Sequence, residues 1–148
     1  MNDKNLLKLD NQICFTIYAA SREMTKLYRP LLDELELTYP QYLALLALWE
    51  HDSISVKELG QKLYLDSGTL TPMLKRMQAN GLLVRERDKA DERKVLIKLT
   101  EKGNQLQEKA ECIPASLLKE EDIPSSLLHQ LKRLLNSVHD INEKASQE

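Results

Sequence analysis

The sequence predicts a mainly α fold with one small β-hairpin, an α+β arrangement in which helix, turn and helix run into a two-stranded wing. Three observations carry this. Two short helical patterns, one opening at Val56 or Lys57 and one near Ser67, are parted by the tight polar break Leu65-Asp66-Ser67. Two strand patterns, 82–87 and 94–99, follow and are joined by the charged loop 88–93. Helices with long apolar stripes precede and follow this block. The outline is a winged helix-turn-helix over 37–100 within one domain spanning 1–148, with helices in 1–36 and 101–148 as a dimerisation region.

Each element has its own warrant. A helix opens at about residue 11, where Asp10 or Asn11 can cap it. Along it Ile13, Ile17, Ala20, Met24, Leu27 and Leu31 recur at spacings of 4, 3, 4, 3 and 4, the pattern of a core-facing seam. Beside that seam runs a mixed polar and aromatic stripe, Cys14, Tyr18, Ser21, Thr25, Tyr28 and Leu32, which suits a partner surface or a pocket better than a dry core. Pro30 ends or bends this helix. Tyr39-Pro40-Gln41 starts the second helix, with Pro40 in its first turn and Tyr42, Leu45, Leu46 and Trp49 on its apolar face. Asp52-Ser53 ends it, and 53–55 can form a short strand.

The third helix turns Leu59 and Leu63 inward, and Gly60 permits a close approach to the next helix. The fourth buries Leu70, Met73, Leu74 and Met77, reaches about Asn80 and closes on the C-cap signal Asn80-Gly81. After the wing, a fifth helix starts at Thr100 with Leu106, Ala110 and Ile113 in period, and Pro114 kinks or interrupts it. Residues 120–124 form a polar break. The last helix, from Ser125 to about Lys144, carries Leu127, Leu128, Leu131, Leu134, Leu135, Val138 and Ile141 at 3/4 spacing, a stripe placed with the first helix in a dimer interface.

Charge narrows the function classes. The net charge is −2, but residues 57–98 hold ten Lys/Arg against six Asp/Glu, so this stretch carries +4 and the remainder −6. That is a basic reading surface on an acidic body. No apolar run approaches the ~18–20 residues of a membrane span, and MNDKNLLKLD lacks the apolar core of a signal peptide, so a cytoplasmic protein is expected. Cys14 and Cys112 are too few for a secreted disulfide framework. With four Gly there is no phosphate-binding loop, and His51, His129 and His139 are too scattered for a metal site. No cofactor, no metal and no enzyme is expected.

The fourth helix leaves Ser67, Thr69, Thr71, Lys75 and Arg76 facing outward. Short hydroxyls near the start of a recognition helix can bond bases or phosphates, and Lys75 and Arg76 suit phosphate or guanine. The wing adds Arg85, Arg87, Lys89, Arg93 and Lys94, and an Arg at a hairpin tip can enter a narrow minor groove. One such helix reads too little DNA for specificity, so a homodimer on a palindromic operator is expected, its two recognition helices about 34 Å apart.

The run LYLDSGTLTPMLKR at 63–76, followed by NGLLVRERDKADERKV, resembles the MarR family of winged-helix transcriptional regulators. Asp91-Glu92-Arg93 matches that family's wing signature, in which the resemblance implies that Asp91 and Arg93 pair to brace the wing. DNQICFTIYAASREMTKLY and LTYPQYLALLALWE are similar to its organic hydroperoxide-sensing branch, and the likeness spans nearly the whole chain. It implies that Cys14 is the reactive thiol, oxidised by organic hydroperoxide, with release from DNA as the outcome.

The residues themselves add two points. Cys14 follows the helix cap closely, where partial positive charge favours a thiolate, and it lies on the mixed stripe. Tyr28 is fourteen residues further along the same helix, about 21 Å at 1.5 Å per residue, so it can only reach the other subunit's cysteine, across antiparallel first helices. The resemblance implies the same for Tyr39. It also makes Cys112 a candidate resolving thiol, although against the flanking KAE and IP residues it falls several positions early; a low-molecular-weight thiol is the alternative. Two other readings stay open: a MarR-type repressor released by a non-covalent small aromatic ligand, and a thiol peroxidase, which would require turnover.

Overall fold

The computed structural model describes residues 5–117 and 122–148, with the backbone alone at 115. After a 3-10 turn over Leu9–Asn11 come α1 (Ile13–Glu34), α2 (Tyr39–Glu50), β1 (Ile54–Ser55), α3 (Val56–Leu63), α4 (Ser67–Ala79), β2 (Leu83–Arg87), β3 (Val95–Leu99), α5 (Glu101–Ala110), α6 (Cys112–Leu117) and α7 (Ser125–Ser146). The chain forms two compact units, one running to Ile113 and one from Pro114. The expected polar break over 120–124 lies partly outside the described residues.

Polar side chains set the starts of α2 to α5. Thr38 and Gln41 form a capping box on α2: the Gln41 amide N–H donates to Thr38 Oγ1 at 3.3 Å and the Thr38 N–H to Gln41 Oε1 at 3.0 Å. Ser55, Asp66 and Thr100 cap α3, α4 and α5 in turn. The sheet is antiparallel with order β1-β3-β2, and Ile54 and Arg85 both sit opposite Ile97. Its core is fully buried Leu45, Leu48, Leu59, Leu70, Leu74, Met77, Leu83 and Ile97.

The turn between α3 and α4 depends on Gly60 and Tyr64. Tyr64 takes the left-handed conformation at φ 56° and closes α3, and the Leu65 N–H donates to Gly60 O at 2.9 Å. A Cβ on Gly60 would stand 2.6 Å from Leu65 O, so the glycine is required by the backbone of the turn; the next helix, whose approach the sequence suggested, comes second with Leu70 Cδ1 at 3.2 Å.

Several expectations need correction. The N-cap of α1 is Gln12, because Asn11 turns back to donate to Asn5 O at 2.8 Å. Pro30 does not end α1; it lies inside a helix that continues to Glu34. The supposed core seam of α1 is outside the chain's own core: Ile13, Ile17, Met24 and Leu27 are exposed, whereas Leu32 of the mixed stripe is buried. On α2 the buried face includes Leu48 and Ala44, while Leu46 is exposed. Leu63, Thr71 and Met73 are half-buried. No residue of α7 is buried.

Candidate nucleic-acid interface and thiol site

The first turn of α4 is organised by Asp66, whose carboxylate accepts the Thr69 N–H at 3.1 Å. Hydrogen bonds from the Thr69 side chain and backbone hold the Asp66 carboxyl below its ordinary range. Ser67, Thr69, Lys75 and Arg76 are exposed on this helix, and Thr71 is half-buried. Pro72 lies within α4 without breaking it.

Between β2 and β3 the loop is braced by its own side chains. Asp91 Oδ1 accepts from the Arg93 N–H at 3.1 Å and from Arg93 Nε at 3.3 Å. Arg87 Nη1 donates to Glu92 O at 2.9 Å, and Asp88 Oδ1 accepts the Ala90 N–H at 3.0 Å. Arg93 still has 93 % of its side chain exposed, so the Asp91 contact orients a guanidinium that remains open to solvent. Arg87 therefore spends one donor on the loop, a bracing contact that sequence reasoning missed. Arg85 Nε donates to Gln78 Oε1 at 2.9 Å and joins the wing to α4.

The thiol site starts from an unusual helix beginning. Cys14 is the second residue of α1 and is exposed. Among the described residues the N-cap Gln12 makes no side-chain cap bond to α1; its amide instead donates backward to Leu6 O and Lys8 O. Peptide N–H groups at such a start favour an anion. Cys112, the first residue of α6, is also exposed, and its Sγ donates to Lys109 O at 3.6 Å.

Tyr28 of α1 and Tyr39 of α2 come together, with ring centroids 4.9 Å apart, and Tyr42 joins them at 5.8 Å and 6.3 Å. Burial first, then the neighbouring Tyr28, raises the Tyr39 phenol above its ordinary 10.0. Burial, then Tyr28 and Tyr39, does the same for Tyr42. These phenols thus stay hydrogen-bond donors at neutral pH. Tyr28 and Cys14 stand at opposite parts of one helix, and a single chain does not bring them together. The spacing of Tyr39 and Tyr42, three residues apart on one helix face, is the signal that would have placed Tyr42 in the cluster.

Helix α2 links this cluster to the rest of the lobe. At its other end Trp49 Nε1 donates to Gly103 O at 2.9 Å. Just beyond it, Asp52 Oδ1 accepts the Leu99 N–H of β3 at 2.9 Å.

The fold and its basic wing define a DNA-binding transcriptional regulator of the winged helix-turn-helix class. The model of the SarA/Rot transcriptional regulators matches residues 26–110. The organic hydroperoxide resistance transcriptional regulator of Bacillus subtilis is 57 % identical over 140 residues, covering 92 % of this chain and 95 % of its own. AbfR of Staphylococcus epidermidis, solved reduced and bound to DNA, is 35 % identical with TM-score 0.84, covering 95 % of this chain and 99 % of that one. A disulfide-formed AbfR is 38 % identical with TM-score 0.68, covering 91 % and 95 %. The chain belongs to the MarR family of transcriptional regulators, in its organic hydroperoxide-sensing branch. It is a regulator and not an enzyme. No helix among the described residues is long and apolar enough to cross a membrane.

Proposed function

We propose that this protein is a cytoplasmic, homodimeric repressor that binds a palindromic operator while Cys14 is reduced and leaves it when an organic hydroperoxide oxidises that thiol. The observation that carries the reading is an exposed Cys14 in the uncapped first turn of α1, on a chain whose exposed wing and recognition helix suit DNA. The whole chain acts as one regulatory domain: 37–100 reads DNA, and helices in 1–36 and 101–148 dimerise. The exposed apolar faces of α1 and α7 support a second copy as their cover. Ser67, Thr69, Thr71, Lys75 and Arg76 enter the major groove, Arg87 and Asp91 shape the wing, and Arg93 reaches the minor groove.

In the sensor, the Tyr28 and Tyr39 hydroxyls of one subunit donate to the Cys14 thiolate of the other. The thiolate sulfur attacks the terminal oxygen of the hydroperoxide; the O–O bond breaks, sulfenic acid forms, and the alkoxide takes a proton and leaves as an alcohol. The sulfenic acid then condenses with a thiol, forming S–S and releasing water. That thiol is Cys112 of the partner subunit or a low-molecular-weight thiol. The product no longer accepts the phenolic hydrogen bonds, and a shift of α2 is passed through the Trp49 and Asp52 bonds to α5 and the wing. The relative solved both reduced on DNA and with a disulfide formed supports a thiol that passes between redox states.

The test is an operator mobility shift with and without cumene hydroperoxide. Wild type is expected to bind reduced and to be released by oxidant, while Cys14→Ser stays bound. Release of Cys14→Ser at the wild-type oxidant dose would remove Cys14 from the mechanism. A covalent dimer on a non-reducing gel, absent in Cys112→Ser, assigns the resolving role to Cys112; its absence in wild type assigns that role to a small thiol.

A further inference from the structure

Tyr42 has no part in the cycle above, yet it is the most deeply placed ring of the phenolic cluster, at 2 % exposure. Tyr28 and Tyr39 are half-buried and come from different helices. The three centroids form a triangle with sides of 4.9, 5.8 and 6.3 Å, and the ring planes are tilted by 42–55°. We propose that Tyr42 is a positioning residue of the sensor, whose fixed ring sets the spacing and tilt of the Tyr28 and Tyr39 phenols that receive the partner subunit's Cys14. This rests on the assignment of Tyr28 and Tyr39 to the thiolate.

The capping box fixes the backbone of Tyr39 at the first position of α2, but a backbone leaves χ1 a choice of staggered wells. Tyr28 has the same freedom on α1. A hydrogen bond from two phenols to one sulfur tolerates little of that freedom. Tyr42 lies three residues after Tyr39 on α2, with Ala44, Leu45 and Leu48 buried beyond it, so its own ring cannot reorient. Tilted aromatic neighbours have preferred geometries, and a fixed third ring narrows the choices of the other two. The raised Tyr39 and Tyr42 phenols agree with a protected cluster. The contribution is from the ring and not from the hydroxyl, and this gives the proposal its test.

The measurement is the rate of Cys14 sulfenic acid formation by cumene hydroperoxide, in a Cys112→Ser background so that one thiol reports. Tyr42→Phe is expected to react within twofold of its parent. Tyr42→Leu is expected to slow the reaction roughly tenfold, the factor of one charge-assisted hydrogen bond. In a Tyr28→Phe/Tyr39→Phe background, itself slowed, Tyr42→Leu is expected to add nothing, because it acts through the two missing hydroxyls. A wild-type rate in Tyr42→Leu, or an equal further slowing in the double-Phe background, overturns the proposal. A wild-type rate in Tyr28→Phe/Tyr39→Phe overturns the thiolate assignment and this proposal with it. Reduced operator binding checks the fold; should Tyr42→Leu fail to bind, Tyr42→Met is read in the same way.

Discussion

Helices α4 and α7 carry much the same pattern and meet opposite fates. Both place Leu or Met at 3/4 spacing. In α4, Leu70, Leu74 and Met77 are fully buried in the core of the winged helix-turn-helix lobe. In α7, Leu127, Leu128, Leu131, Leu135, Val138 and Ile141 are 36–64 % exposed. Helix α1 behaves like α7 over Ile13, Ile17, Met24 and Leu27. A helical period says that a face is apolar; it does not say which molecule covers it. The lobe closes its core within one chain, whereas α1 and α7 each leave an exposed apolar stripe.

The largest effect is expected from a charge on the uncovered face. Leu131→Asp replaces a residue that a monomer would hardly miss, since surface changes are usually worth within about 0.5 kcal/mol. In the proposed dimer it forfeits the burial of a leucine, about 1.5–3 kcal/mol, and adds the desolvation of a carboxylate. The dimer dissociation constant should rise by roughly a hundredfold or more, read by sedimentation equilibrium, and operator affinity should fall with it. An unchanged dimer would place the interface elsewhere.

Arg93→Ala sharpens the comparison from the other side, because it alters the surface of the closed lobe. The Arg93–Asp91 pair is exposed, and such pairs contribute little to stability. The melting temperature should therefore hold, while operator affinity falls roughly ten- to hundredfold at fixed salt. A matching loss for random DNA would reduce Arg93 to a phosphate contact.

How much of this was legible follows the same division. The helix-turn-helix and wing were readable because their signals are local: a polar break, Asn80-Gly81, and two strands around a charged loop. Gly60 was legible as a point of close approach, but its tightest neighbour is the Leu65 O of the turn and not the next helix. The seam of α1 was assigned to the wrong partner, since Ile13 and Ile17 have the period of a core but face outward. For Pro30 the sequence offered an end or a bend, and the end is excluded because α1 continues to Glu34, where packing around buried Leu32 is not a local property. Cys14 and Tyr28 were legible as residues, whereas the triangle with Tyr42 required two helices to meet. The backward turn of Gln12, which leaves the first turn of α1 uncapped, has no sequence signal beyond the lack of Ser, Thr, Asp or Asn at that position.

The smallest effect tests that last contrast, a capped helix start against an uncapped one. Asp66 closes the first turn of α4 through Thr69, and the same hydrogen bonds depress its carboxyl pKa. A carboxyl depressed in the folded state adds stability above its unfolded value of about 3.9, and that stability is lost as pH falls through the lower, folded value. Asp66→Ala should therefore melt below wild type at pH 6–7, and the gap should narrow progressively below about pH 4 as the wild-type cap is protonated. A gap constant down to the most acidic pH would mean that the charge of Asp66 is idle. The exposed position makes the effect small, but Ser67 and Thr69 ride on this turn. A loosened start of α4 should cost operator affinity out of proportion to its small change in melting temperature.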